Sequence, residues 1–260
     1  MQGVTPETRF LEGYDPSTFD RPSVAVDVVL LAPAEAPPAG GRGAPGRPPA
    51  GTLSTLLIRR SEHPFKGRWS LPGVFVRMEE PLEAAADRAL REKAGLEDIF
   101  LEQLYTFGGP ERDPRMRVLS VAYMALVDRA SCDRRRTEVG MMGALRVPWA
   151  GEAGGPVEVL DGRGRAIPLA FDHAAILGMA VKRLRGKLAY TPVGFQLLPG
   201  SFTLLDLQRV HETVLGRRLN KDSFRRRMLA SGQLQPTGEL QEDVEHRPAA
   251  LYRFERAAAT

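Results

Sequence analysis

Leu71-Pro72-Gly73-Val74-Phe75-Val76-Arg77-Met78-Glu79-Glu80-Pro81-Leu82-Glu83-Ala84-Ala85-Ala86-Asp87-Arg88-Ala89-Leu90-Arg91-Glu92-Lys93-Ala94-Gly95-Leu96 is the stretch on which the reading of this chain turns. Leu82, Ala85, Ala86, Ala89 and Leu90 recur at helical spacing, and alanine and leucine favour helices. Gly95 stands where such a helix stops. Residues three and four apart share a helix face, so Ala89, Glu92 and Lys93 lie together. That face carries a methyl group, one carboxylate and one ammonium. Arg88, four residues before Glu92, can pair with it. At about 100° per residue, Asp87 and Glu83 point well away from Glu92. Taken alone, this is an ordinary packed amphipathic helix. Trp69-Ser70-Leu71-Pro72-Gly73 before it and Gly95-Leu96 after it supply a context that an ordinary helix lacks.

Together these residues resemble a Nudix box, G-x5-E-x7-R-E-U-x-E-E-x-G-U, where U is a bulky aliphatic residue. Glu80, Arg88, Leu90, Glu92, Gly95 and Leu96 fall on motif positions. Val74 replaces the first glycine, and Ala89 and Lys93 replace two of the helix glutamates. The resemblance implies an α/β chain: a Nudix-like α/β/α sandwich built on a mixed sheet. In the intact motif the glutamates hold magnesium, a hard ion that needs carboxylate and phosphate oxygens. Bridged to a pyrophosphate, the ion neutralises charge and activates the attacking water. Here one anionic ligand, Glu92, remains on that face. Lys93 can meet a phosphate as a point charge. The expected cleft therefore holds a nucleoside diphosphate without cutting it, and its box is vestigial. It needs no cofactor, with magnesium relevant only if hydrolysis survives through outlying carboxylates such as Glu111 and Asp113.

Composition sets wider bounds. The chain has 260 residues, enough for two modest domains, with 43% hydrophobic and 26% charged residues. No apolar run is long enough to span a bilayer, and the N-terminus lacks the basic-then-apolar order of a signal peptide. A single cysteine, Cys132, excludes an internal disulfide and a cysteine-based zinc site, and fits a reducing cytoplasm. The formal charge of +4 is compatible with nucleic acid without demonstrating it.

Along the chain, residues 1–21 read as an N-terminal extension and 22–188 as the Nudix-like domain. Strands are expected at Val24–Leu31, Thr52–Arg60, Phe100–Phe107 and Arg117–Val127. The Pro/Gly tract over 34–50 cannot bury enough apolar surface to order itself and reads as a disordered loop. A helix is expected from Asp172 towards Leu188, with His173 as a hydrogen-bonded residue of its first turn.

Residues 189–256 have a different texture. Thr203, with Asp206 three residues on, opens a helix whose buried stripe is Leu204, Leu207, Val210, Val214 and Leu215. Gly216 ends it. Asn220 caps a second helix over Lys221–Ala230, and Leu219 and Phe224 have the spacing of a hydrophobic staple. Pro236-Thr237-Gly238 reads as a turn and Leu251–Phe254 as a strand, so a hairpin follows. Helix, tight turn, basic helix and hairpin make a winged helix-turn-helix. Arg217, Arg218, Asn220, Lys221, Ser223, Arg225, Arg226 and Arg227 are the expected contacts to double-stranded DNA. Arginines would attract phosphates and pair with guanine edges, and Asn220 could read an adenine. A solvated arginine face, or a face for an acidic protein partner, is the alternative.

The combination resembles the Nudix-related transcriptional regulators of the NrtR type. Resemblance implies a homodimeric repressor of NAD biosynthesis or salvage genes, released from its operator by ADP-ribose or a related metabolite. By position, the pocket would include Arg59, Phe65, Trp69, Arg88, Glu92, Lys93 and Arg112. The competing assignment is an active ADP-ribose pyrophosphatase with an accessory C-terminal domain.

Overall fold

A computed structural model describes residues 5–35, 51–97, 99–128, 130, 140–242 and 248–255. Most of the expected Pro/Gly loop (residues 36–50) and Cys132 lie outside the described residues. The architecture is organised by β1 (Ser23–Glu35), which contains the β-branched run Val24–Leu31. It pairs antiparallel with β2 (Gly51–Arg59) and parallel with β6 (Val118–Leu126). β3 (Trp69–Ser70) joins β2, and β4 (Gly73–Phe75) joins β1. The other strands are β5 (Glu102–Phe107), β7 (Gly140–Arg146), β8 (Glu158–Leu160) and β9 (Ala166–Ile167). They extend the sheet to the order β5-β6-β1-β2-β7-β8-β9, a mixed sheet with one parallel pair on that path.

Alternation along β1 sorts its side chains onto two faces. Val26, Val28 and Leu30 pack with α2 (Leu82–Ala94) through Ala85, Ala86, Ala89 and Leu90. Val29 and Leu31 pack on the other face against α3 (His173–Leu188) through Ile176, Leu177, Ala180 and Leu184. Helix, sheet and helix form the α/β/α sandwich. Gly95 ends α2 in the left-handed conformation (φ 63°), its N–H returning to the Arg91 carbonyl. Ahead of the sheet lies a short helix, α1 (Pro6–Gly13), capped by Thr5 and without buried residues.

The C-terminal unit comprises β10 (Phe202–Thr203), α4 (Leu204–Leu215), α5 (Lys221–Ala230), β11 (Leu234–Leu240) and β12 (Ala250–Phe254), with β12 central in a three-stranded sheet. Thr203 and Asp206 complete a capping box, Gly216 closes α4 at φ 66°, and the Asn220 side chain caps α5. This is a winged helix. Its core is not separate from the sandwich: Leu207, Val210, Val214 and Phe224 belong to the same apolar cluster as Val29, Leu57 and Ile176. Sensor and reader are thus joined through packed side chains rather than through a linker.

Two expectations need correction. Pro236-Thr237-Gly238 does not form the hairpin turn. These residues lie within β11, where the register shifts against β12 and Gly238 adopts φ 82°, as at a bulge. The second concerns Ala89, expected to face the cleft beside Glu92. It is fully buried between α2 and the sheet.

Candidate ligand cleft and DNA-reading face

A cleft of about 640 Å³ opens between the end of β2, β4, α2 and the loop over residues 108–117. That is within the range of small-molecule sites, about 300–1,000 Å³. Its lining includes Arg59, Arg60, Arg77, Lys93 and Arg115 from different elements, and Asp27, Phe75, Phe171 and His173. Lys93 makes no ion pair among the described residues, so its ammonium is available to an incoming anion.

Arg88 does not reach for a ligand. It donates Nε to Glu80 Oε2 at 3.0 Å, Nη2 to Glu80 Oε1 at 2.5 Å, and Nη2 to the Phe75 carbonyl at 2.8 Å. Its Nη1 lies 3.4 Å from Glu92 Oε2. These bonds hold the Glu80 carboxyl down to about 2, helped by the backbone N–H of Arg77. Arg77 also approaches Glu92 at 3.6 Å. Two box carboxylates are therefore answered by guanidinium groups.

Arg112 is likewise committed. It forks onto Asp172, Nε to Oδ2 at 3.0 Å and Nη2 to Oδ1 at 2.8 Å, and its Nη2 lies 3.3 Å from Asp27 Oδ2. Burial lowers the Arg112 pKa, but the bonds it donates to Asp172 and the charges of Asp27 and Asp172 outweigh it and raise the value. Asp27 also accepts the Ser120 hydroxyl at 2.6 Å. His173 accepts the Leu71 N–H on Nδ1 at 2.9 Å, which places its proton on Nε2, 3.6 Å from Asp27 Oδ1. Burial pushes the His173 pKa down, the direction that agrees with Nδ1 acting as an acceptor. Asp113 is buried under Arg115, whose hydrogen bonds lower its pKa.

A divalent ion needs several oxygens from one wall. Ala89 offers none, Lys93 is a cation, Glu80 and Asp113 are held by arginines, and Glu92 alone lines the cleft from α2 as a carboxylate. Among the described residues no group of three or more His, Cys, Asp or Glu could hold a metal ion. The donor set does not fit the magnesium that an intact box would use.

The aromatic lining differs from expectation. Trp69 and Phe65 do not line the cleft. Trp69 is half-buried against the sheet-side core, its strand bridging to Leu169. Phe65 packs edge-on against Phe171, ring centres 5.0 Å apart. Phe171 and Phe75 are the aromatics that line the cleft, with the Arg60 guanidinium 4.8 Å from the Phe171 ring centre and that of Arg115 5.4 Å from the Phe75 ring centre. Phe65 and Phe171 hold positive φ, 61° and 52°, a strained backbone that tends to cluster at functional sites. Neither positive φ nor the Arg60 contact has a sequence signal.

On the reading unit, Arg217, Arg218, Asn220, Lys221, Ser223, Arg225, Arg226 and Arg227 are all exposed, while Phe224 alone in α5 is buried. Arg227 folds back over the Phe224 ring at 5.5 Å. Asn220 caps α5 as expected, its Oδ1 accepting the Ser223 N–H at 3.0 Å. Pairing with adenine needs the amide oxygen and nitrogen together, so the oxygen would have to serve the cap and the base at once. Glu212 was not anticipated. Its side chain is 2% exposed and accepts both the Gln208 amide and the Leu219 N–H at 2.9 Å, bracing the turn between the two helices.

Comparison with known proteins matches residues 46–138 to the NUDIX domain and residues 194–254 to the NrtR DNA-binding winged helix domain. The "ADPR responsive transcriptional repressor NtrR" of Acinetobacter baylyi is 34% identical over 250 residues, 95% of this chain and 88% of that protein. The chain belongs to the NrtR family of Nudix-related regulators. NrtR of Shewanella oneidensis, crystallised with a 27mer DNA, is similar at a TM-score of 0.67 and 32% identity, covering 89% of this chain and 93% of that one. A MutT/nudix family protein from Enterococcus faecalis gives a TM-score of 0.70 at 26% identity, over 96% of this chain and 92% of its own. Both likenesses span the sandwich and the winged helix together, so the shared core between the units lies in the part of an NrtR-family chain that these structures match.

Proposed function

We propose that this chain is a metabolite-responsive transcriptional repressor that binds operator DNA through α5 and the wing, and ADP-ribose or a similar nucleoside diphosphate in the cleft. The observation that carries the reading is the pairing of a cleft in which cations outnumber carboxylates, and whose α2 wall keeps Glu92 alone of the box glutamates, with an exposed arginine helix on one continuous core. Lys93 and Arg59, which make no ion pair among the described residues, supply charge for the phosphates, and Phe171 offers an apolar surface to a base. Lys93, occupying a metal-ligand position of the box, attracts the diphosphate without activating water. The protein works as a homodimer on a palindromic site, its two reading helices spaced to successive major grooves. Kinship with an ADPR responsive repressor supports targets in NAD metabolism and action in the cytoplasm.

The test is a gel-shift titration on the DNA upstream of the gene, with and without ADP-ribose. A retarded band at low salt that ADP-ribose dissolves is expected. No band, or a band indifferent to ADP-ribose at millimolar concentration, counts against the reading. In parallel, ADP-ribose incubated with the protein and manganese should stay intact.

A further inference from the structure

Helix α3 begins at the cleft and ends against the reading unit. Its N-cap residue, Asp172, makes no side-chain bond to the helix, since both its oxygens are held by Arg112. The same guanidinium reaches Asp27 on β1, so one side chain ties the cleft floor to the first turn of α3. About 20 Å farther along the helix, at 1.5 Å per residue, sits Arg185, 5% exposed. It donates Nε to the Val214 carbonyl at 2.9 Å, and Nη1 to the carbonyls of Trp149 at 3.2 Å and Gly151 at 2.9 Å. Val214 lies in the last turn of α4, immediately before the Gly216 turn that leads to the reading helix. A Cβ on Gly178 would overlap the Gly155 carbonyl, so α3 packs backbone to backbone against the loop around 149–155.

We propose that the Arg112–Asp172 pair is a ligand-operated latch on α3, and that α3 carries its state to the reading helix through Arg185. The inference rests on the cleft being the metabolite site. A guanidinium fork fits phosphate oxygens as well as carboxylate oxygens. A diphosphate arriving at Arg112 competes with Asp172 for the same donors. The released carboxylate can turn to the Ala174 N–H, the first-turn donor of α3 not already bonded to a backbone carbonyl as those of His173, Ala175 and Ile176 are, and the usual partner of an aspartate at that position. Asp172 on Arg112, or Asp172 on the helix end, are two discrete arrangements of the kind that coupling between distant sites requires. Arg112 and Asp172 are positioning residues for release of DNA, acting through α3 and Arg185.

The test uses the full chain and Asp172→Asn. Three affinities are measured: ADP-ribose by calorimetry, the upstream duplex by fluorescence anisotropy, and the duplex with saturating ADP-ribose. In the unmodified protein ADP-ribose should weaken the duplex by at least about tenfold, inside the about 5–150-fold span of such couplings. The neutral amide introduced by the substitution cannot hold Arg112 by charge, so the variant should behave as if already liganded. It should bind ADP-ribose tighter by a few-fold, bind the duplex as weakly as the liganded unmodified protein, and change by less than about twofold when ADP-ribose is added. A merely structural defect would weaken both ligands. If the variant fails to fold, hydrogen exchange of the unmodified protein decides: ADP-ribose should alter protection both over 172–188 and over 213–217. Unchanged exchange in either segment, a variant that keeps the unmodified response, or a variant that loses ADP-ribose affinity overturns the latch and leaves the cleft reading in place. No ADP-ribose binding by the unmodified protein overturns the cleft reading and the latch with it.

Discussion

Glu212 carries the sharpest prediction about the reading unit, because its two nearest substitutions separate acceptor geometry from charge. Its Oε1 serves two donors at once, the Leu219 N–H and the Gln208 amide, inside a side chain that is 2% exposed. Glu212→Ala removes that oxygen, leaves the Leu219 N–H without a partner, and strips the Gln208 amide to its remaining bond, to the Leu219 carbonyl at 3.1 Å. An unpaired buried donor costs about 1–3 kcal/mol, so the loss for the pair, with the packing of the stem, comes to about 3 kcal/mol. Glu212→Gln retains a carbonyl oxygen at the same place. What it gives up is the 3.6 Å contact with Arg218, whose side chain is 45% exposed; a half-exposed ion pair is worth at most about 1 kcal/mol.

Urea unfolding and duplex anisotropy read the difference. With a slope of about 1–3 kcal/mol per molar, the alanine variant should unfold about 1 M or more earlier, and the glutamine variant within a few tenths of a molar of the unmodified chain. The turn between α4 and α5 sets the angle at which Arg225 and Arg226 are presented. Duplex affinity should therefore fall at least tenfold for alanine, about 1.4 kcal/mol or more, and stay within a few-fold for glutamine. An alanine variant with unchanged midpoint and affinity would refute the argument. So would a glutamine variant as damaged as alanine, since that would make the charge, not the acceptor, the working part.

Three further outcomes follow from the same structure. Asn220→Ala removes the side-chain cap of α5 and should cost about 1 kcal/mol of stability, measured by denaturant titration, while leaving discrimination at any adenine of the operator unchanged. Glu80 has a folded pKa of about 2, below its ordinary 4.5, through the bonds from Arg88 and then Arg77. Its contribution is complete above the ordinary value and is lost as pH falls from there towards about 2, so acid titration of the unfolding midpoint should be steeper in that window for the unmodified chain than for Glu80→Gln. Lys93→Ala should weaken ADP-ribose by roughly tenfold to a hundredfold in calorimetry, the worth of one charge-assisted contact of about 1.5–3 kcal/mol, with no dependence on added chelator.

Much of the architecture could be read before any coordinates, and the reasons are local. The Val24–Leu31 run, the Ala-rich helix closed by Gly95, and the Thr203–Asp206 and Asn220 caps each carry their instruction within a few residues. Elements without such local marks were missed. β7 begins at Gly140 and contains Gly143, and glycine weakens any strand signal; the residue is there because a Cβ at 143 would overlap Val159 Cγ1. That reason exists only once β8 is in place. The Pro236-Thr237-Gly238 error has the same origin, since a bulge and a turn share their residue types and only the partner strand, β12, distinguishes them.

The cleft was half legible for a deeper reason. The Nudix-box register identifies which positions carry charge, and Arg88, Glu92 and Lys93 do line the cleft from α2. It does not say which charges are already answered. Arg88, Arg112 and Arg115 each carry a formal positive charge, yet each is paired with a carboxylate on the protein: Glu80 eight residues away, Asp172 sixty residues away, Asp113 two residues away. Lys93 and Arg59, equally plain in the sequence, make no ion pair among the described residues. A ligand's phosphates select among cations by the work needed to free them, and that work is set by partners brought together from β1, the start of α3 and the loops that hold Glu80 and Asp113. The same consideration separates a binding arginine from a switching one: Arg112 can report the ligand's arrival because it has Asp172 to let go of.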